Sequence, residues 1–267
     1  MTSPTMTTTM TTTTTTTTTP QSPSAIAKLV AVAEALTEQR RLSRIANTAG
    51  LPISTVHRIL QELVAHGWVR EGEEHDYVLG PGLIRLAARA ADDSDLARAA
   101  RPALRALCER SGYTVHFGVK QGDEAVYIDK LEGRGAYGMR SRIGATLPLH
   151  CTAIGKAILA ALPDDEVRRI SARSGLPRRM PHTLTTPDAL LANLASVRAR
   201  GWALDDEENM TRVRCVGAVV LNHRGEPIGG VSVSGLSFDM ARAQVARLAP
   251  MVVRTAREVS AALGARG

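Results

Sequence analysis

The stretch LPISTVHRILQELVAHGWV, residues 51–69, followed after a polar gap by YVLGPGLIRLA, residues 77–87, decides the reading of the fold. Val56, Ile59, Leu60, Leu63 and Val64 recur at helical spacing as one apolar stripe, and Gly67 ends the helix. The turn Gly50-Leu51-Pro52 leads into it from a shorter helix, SRIANTAG, beginning at Ser43. Earlier still, Ile26, Leu29, Val30, Ala33 and Leu36 repeat at helical spacing behind a Ser24 cap. Downstream, the β-prone runs WVR and YVLG flank a polar tip from Glu71 to Asp76. Helix, helix, tight turn, helix and hairpin is the order of a winged helix-turn-helix. Opposite the apolar stripe stand Ser54, Thr55, His57, Arg58 and Gln61. Short donors and acceptors with one Arg suit a helix that reads base edges and phosphates.

Outward from this core the chain changes character on both sides. Residues 1–23 are nearly all Thr, with no apolar surface to offset ordering, and are expected to be disordered. They lack the basic start and apolar stretch of a secretory signal. Residues 82–112 read as helix, broken near Asp92-Asp93-Ser94. From Tyr113 the period becomes two: YTVHFGVK and AVYIDKL form a hairpin around Gln121-Gly122-Asp123. Helices are expected from Thr152 to Ala161, from Asp164, and from Asp188 to Arg200. The strands VGAVVLN and PIGGVSVS and a closing helix from about Asp239 to Leu263 follow. The expected fold is α+β: a tail (1–23), a winged helix-turn-helix (24–84), a helical linker (85–112) and an α/β domain (113–267).

Composition excludes several classes. The 267 residues carry 33 Lys and Arg against 26 Asp and Glu, a net charge of +7 that favours an anionic partner. That excess lies outside the segment expected to touch DNA, because residues 1–80 hold six basic and seven acidic side chains. Aromatic residues make up 3%, too few for a single-strand stacking platform. Cys108, Cys151 and Cys215 are odd in number and widely spaced, which suits a reducing cytoplasm and no disulfide scaffold. No apolar run approaches the ~18 residues of a membrane span, so no membrane partner is expected. The seven His residues show no paired ligand spacing, and neither a metal nor a cofactor is expected. Gly133 to Gly138 spells G-x-G-x-x-G, but MRSRIG follows it instead of a helix, so no nucleotide site is read there.

The quoted stretches closely resemble the DNA-binding domain of the IclR family of bacterial transcription regulators. The resemblance continues through PLHCTAIGKAILAALP (148–163), RARGWALDDEEN (198–209), VRCVGAVV (213–220) and GGVSVSG (229–235). It covers about residues 24–265 in the family's order. Two departures stand out: Ile53 occupies a position that is basic in many relatives, and Arg212 stands where a Gly is common. The resemblance implies a DNA-binding regulator, commonly a repressor, that works as a dimer or tetramer on a pseudo-palindromic duplex. Arg40, Arg41, Ser43 and Arg44 join Ser54, Thr55, His57, Arg58 and Gln61 as candidate DNA contacts. The acids Glu71, Glu73, Glu74 and Asp76 should hold the wing off the phosphates.

The resemblance further implies a GAF-like effector domain whose ligand contacts fall on Ala153, Ile154, Asp205, Val213, Cys215, Ser232 and Ser234. The residue types agree with a small-acid site. Thr152 is a good N-cap, leaving the next amides as donors at a helix N-terminus. Ser232 and Ser234, two apart on a strand, share a face. Asp205 tolerates an acidic ligand only if it accepts hydroxyl donors, which points to a hydroxy, keto or sugar acid. The bland alternative makes Asp205 the start of a solvated run, Asp205 to Glu208. An enzymatic alternative would use Cys151 beside His150 as a nucleophile. It leaves the helix-turn-helix unexplained, and no enzyme is expected.

Overall fold

A computed structural model of the chain describes residues 23–72, 76–92, 95–134 and 141–265. The Thr-rich tract up to residue 22, the wing acids Glu73 and Glu74, the expected helix break at 93–94 and most of the glycine string lie outside the described residues. The chain divides into two compact units, the first ending at Ala88 and the second beginning at Arg89.

The first unit packs α1 (Ala25–Ala35), α2 (Leu42–Ala49) and α3 (Ile53–Ala65) against the antiparallel hairpin β1 (Val69–Glu71) and β2 (Tyr77–Leu79), and α4 (Pro81–Asp92) follows. Gly50 ends α2 at φ 64°, a left-handed geometry that costs a glycine nothing, and Pro52 caps the start of α3. The core joins Val56, Ile59, Leu60 and Leu63 of α3 to Val32 and Ala35 of α1, Ile45 of α2, and Val69 and Tyr77 of the hairpin. The stripe expected on α1 is corrected. Val32, Ala35 and Leu36 are buried, whereas Ile26, Leu29 and Val30 remain exposed. Helical spacing revealed an amphipathic element there without revealing which face had a partner.

The second unit begins with α5 (Asp95–Ser111), whose Ala100, Leu104 and Leu107 are buried in its core. One six-stranded antiparallel sheet has the order β5-β4-β3-β8-β7-β6. Its strands are β3 (Thr114–Gln121), β4 (Glu124–Leu131), β5 (Thr146–Pro148), β6 (Ala203–Asp206), β7 (Val213–Leu221) and β8 (Pro227–Leu236). α5 and α9 (Arg242–Ala262) cover one face over Val115, Phe117, Val216, Val231 and Val233. α6 (Ala153–Ala160) lies against the other, with α7 (Asp164–Ser174) and α8 (Pro187–Arg200) behind it. The edge strands β5 and β6, three and four residues long, escape a reading that depends on alternation over longer runs. Gly217 brings α6 close to the sheet: a Cβ there would stand 2.8 Å from the backbone carbon of Ala153. Among the described residues no helix is long and apolar enough to cross a membrane.

Candidate functional site

In the first unit α3 presents Ser54, His57, Arg58 and Gln61 on its exposed face, with Thr55 half-buried. Pro52 offers no side-chain cap, so the first amides of α3 point outward with the helix dipole behind them. Arg40, Ser43 and Arg44 are exposed at and before the start of α2. The Arg40–Arg41 segment is also an edge of the wing: Arg40 O accepts from Tyr77 N at 2.7 Å, and Arg41 bridges to Asp76. Gln61 is held as well, donating to Glu71 Oε1 at 3.0 Å, and the Tyr77 hydroxyl donates to the same oxygen at 3.0 Å. Glu71 therefore belongs to the root of the wing, where it ties α3 to the hairpin.

In the second unit one cavity of about 200 Å³ opens between the sheet and the N-terminus of α6. It is lined by all seven residues singled out for an effector: Ala153, Ile154, Asp205, Val213, Cys215, Ser232 and Ser234. Strand register explains the convergence. Asp205 pairs with Cys215 and Cys215 with Ser234, so one row crosses β6, β7 and β8. A second row pairs Gly217 with Ser232 and Ser232 with His116 on β3. Thr152 caps α6 by accepting from Gly155 N at 3.0 Å, and it leaves Ala153 and Ile154 amides without intrahelical acceptors.

Asp205 is 2% exposed, and its Oδ1 accepts from the amides of Glu208 and Asn209 at 2.9 and 3.3 Å. Burial, opposed by those two amides, pushes its carboxyl up to about 7. The run Asp205 to Glu208 is not a solvated acidic face, because Glu208 is also buried and pairs with Lys156 of α6, itself fully buried. Burial pushes the Glu208 carboxyl up despite that ion pair, and its Oε2 has no hydrogen-bond partner.

His116, Tyr127, Ser141, Arg179 and Asn209 also line the cavity and went unassigned in the sequence. His116 is 1% exposed, with Nε2 2.7 Å from Ser141 Oγ and Nδ1 3.2 Å from Ser234 Oγ. Its ring lies 4.7 Å from that of Tyr127, and burial lowers its imidazole to about 4, so it is neutral at physiological pH. The register opposite Ser232 was the available signal for His116, and a loop residue such as Arg179 offered none. Cys151 is fully buried and its thiol is pushed up to about 12 by burial. The adjacent His150 turns its Nε2 to Pro177 O at 3.1 Å. A thiolate nucleophile activated by its neighbour is not what this geometry builds. Among the described residues no group of three metal-ligating side chains clusters.

Two family models match: the IclR helix-turn-helix domain over residues 25–73, and the bacterial transcriptional regulator IclR C-terminal domain over residues 88–261. The HTH-type transcriptional regulator XynR of Escherichia coli is 36% identical over 84% of this chain and 89% of its own length. The transcriptional repressor IclR of the same organism is 35% identical over 84% of this chain and 82% of its own. The HTH-type transcriptional regulator KdgR of Escherichia coli is 34% identical over 91% of this chain and 94% of its own. The crystal structure of the Thermotoga maritima IclR superposes with TM-score 0.72 at 31% identity, covering 89% of this chain and 97% of that one. An Alicyclobacillus acidocaldarius regulator of this type gives TM-score 0.79 at 26% identity, covering 89% and 98%. With a helix-turn-helix carrying a polar reading face and a second α/β unit enclosing a polar cavity, the chain belongs to the IclR family of bacterial DNA-binding transcription regulators.

Proposed function

We propose that the chain is a cytoplasmic repressor that binds a pseudo-palindromic duplex as a dimer or tetramer and is switched by a small hydroxy, keto or sugar acid. The observation that carries the acid-sensing half is the convergence of seven residues, distant in sequence, on one cavity beside a helix N-terminus. The amides of Ala153 and Ile154 suit the acid end of such a molecule, and Asp205, Ser232 and Ser234 suit its hydroxyl or keto end. A single α3 reads only a few base pairs, so specificity requires two copies on half-sites about one helical turn apart. The exposed Ile26 and Val30 of α1, and Ile84 and Leu86 of α4, offer apolar surface for self-association.

Calorimetry on the full chain with hydroxy, keto and sugar acids tests the sensor. Hydroxyl donors from the ligand favour the ionised form of Asp205, so binding expels a proton. Affinity for a hydroxy acid is therefore expected to rise as pH climbs through about 7 and to level off above it. The groups around Asp205 are Glu208, Lys156, Tyr127, Cys151 and Cys215. Asp205→Asn keeps an oxygen for the Glu208 and Asn209 amides and should flatten the profile. A wild-type affinity that is flat between about pH 6 and 8 would exclude this role for Asp205.

Selection from random duplexes tests the DNA half. Arg58→Ala is expected to weaken the selected sequence by about 1–3 kcal/mol, roughly five- to 150-fold, and to relax one position. Uniform weakening across all sequences would make Arg58 a phosphate contact instead. A reporter gene behind the selected sequence separates repression from activation.

A further inference from the structure

The cavity carries one cation that the sequence reading left unused. Arg178 and Arg179 are neighbours on the segment between α7 and α8, yet their side chains differ in what they meet. Arg178 donates to Pro181 O at 3.1 Å and to Thr185 Oγ1 at 3.4 Å. Arg179 lines the cavity, and among the described residues its guanidinium has no ion-pair or hydrogen-bond partner.

Its backbone, in contrast, is firmly held. Thr183 Oγ1 accepts from the amides of Arg179 and Met180 at 3.2 and 2.8 Å, and donates to Glu208 O at 2.6 Å. Glu208 is in turn anchored through its carboxylate to the buried Lys156. The held backbone brings an unpaired guanidinium to the cavity, and its planar fork of donors matches a carboxylate bidentately. Asp205, the one acid among the described cavity-lining residues, makes no ion pair with Arg179, and its Oδ1 is turned to backbone amides. The charge of Arg179 reaches His150 and Cys151, the two residues leading into the Thr152 cap. Arg179 shares the cavity lining with Thr152, Ala153 and Ile154, where α6 begins.

We infer that Arg179 is the carboxylate-binding residue of the cavity, gripping the acid end of the ligand together with the amides of Ala153 and Ile154. This rests on the reading of the second unit as an acid sensor, and it fixes the ligand's orientation. Arg179 is exposed, so the acid end lies at the mouth. Asp205, Ser232 and Ser234, all at most 3% exposed, receive the hydroxyl or keto end inside.

The test is calorimetry on the full chain with glycerate, 2-oxobutyrate and gluconate, each paired with its primary amide. Arg179→Gln is expected to weaken the acids about ten- to hundredfold, the loss of a charge-assisted hydrogen bond, and Arg179→Lys to lose less. The amides should bind wild type and R179Q alike. Because the side chain has no protein partner, R179Q should melt at the wild-type temperature. Acids that bind both forms equally, acids and amides that weaken together, or a lowered melting point each overturn the assignment. If wild type binds none of the three acids, the acid-sensor reading falls before the role of Arg179 is reached.

Discussion

Lys156→Met is expected to destabilise the second unit by about 3–5 kcal/mol, because it leaves the Glu208 carboxylate buried without its countercharge. For a unit of this size that corresponds to a fall of roughly 6–20 °C in its melting transition. The penalty is that of an orphaned charge, not the net worth of the pair. Lys156→Met combined with Glu208→Leu should therefore recover most of the loss. The single variant should also loosen the segment carrying Asp205 and Asn209, because Glu208 donates its amide to Asp205 Oδ1 and its carbonyl accepts from Thr183. Differential scanning calorimetry of the two variants decides the matter. A single variant that melts within a degree of wild type, or a double variant no better than the single, would show that the ion pair is not what holds the segment.

The second large effect is expected from Leu60→Ala in the helix-turn-helix. Leu60 is completely buried, and truncation of such a side chain costs about 2–5 kcal/mol. The core it belongs to is small, drawn from α1, α2, α3 and one short hairpin, and a unit of that size has little stability to spare. The first unit should populate its unfolded form, and binding to the selected duplex should collapse. Calorimetric binding of the small acid by the second unit should be unaffected. Simultaneous loss of both activities would show that the two units do not fold independently.

These elements also mark how far the sequence could be read. α3 was legible because its apolar stripe, the turn before it and Gly67 after it all agree, and four of the five stripe residues are buried. Ser232 and Ser234 were legible because a strand has a period of two. The α1 face was not, since amphipathicity does not say which side finds a partner. The contrast between Asp205 and Asp206 came from the family resemblance alone: by themselves four acids in a row look solvated, and pairing of Asp205 with Cys215 turns it inward. The Lys156–Glu208 pair spans 52 residues, and no local pattern links two charges across that distance. Arg179 owes its place to a loop tied down by Thr183, which has no periodicity to read.

Cys215, in the cavity lining, and Cys151, just before the Thr152 cap, have a bearing on signalling itself. Burial raises the Cys151 thiol to about 12 and the Cys215 thiol further still, so at neutral pH both stay protonated. Keto acids are electrophiles, and a reactive thiolate beside one would add to its carbonyl, which takes up a proton to give a hemithioketal. For a keto acid of the kind proposed, the thiol of Cys215 in the cavity lining stays protonated, and the complex is expected to be noncovalent. On that reading occupancy is expected to follow the current concentration of the acid.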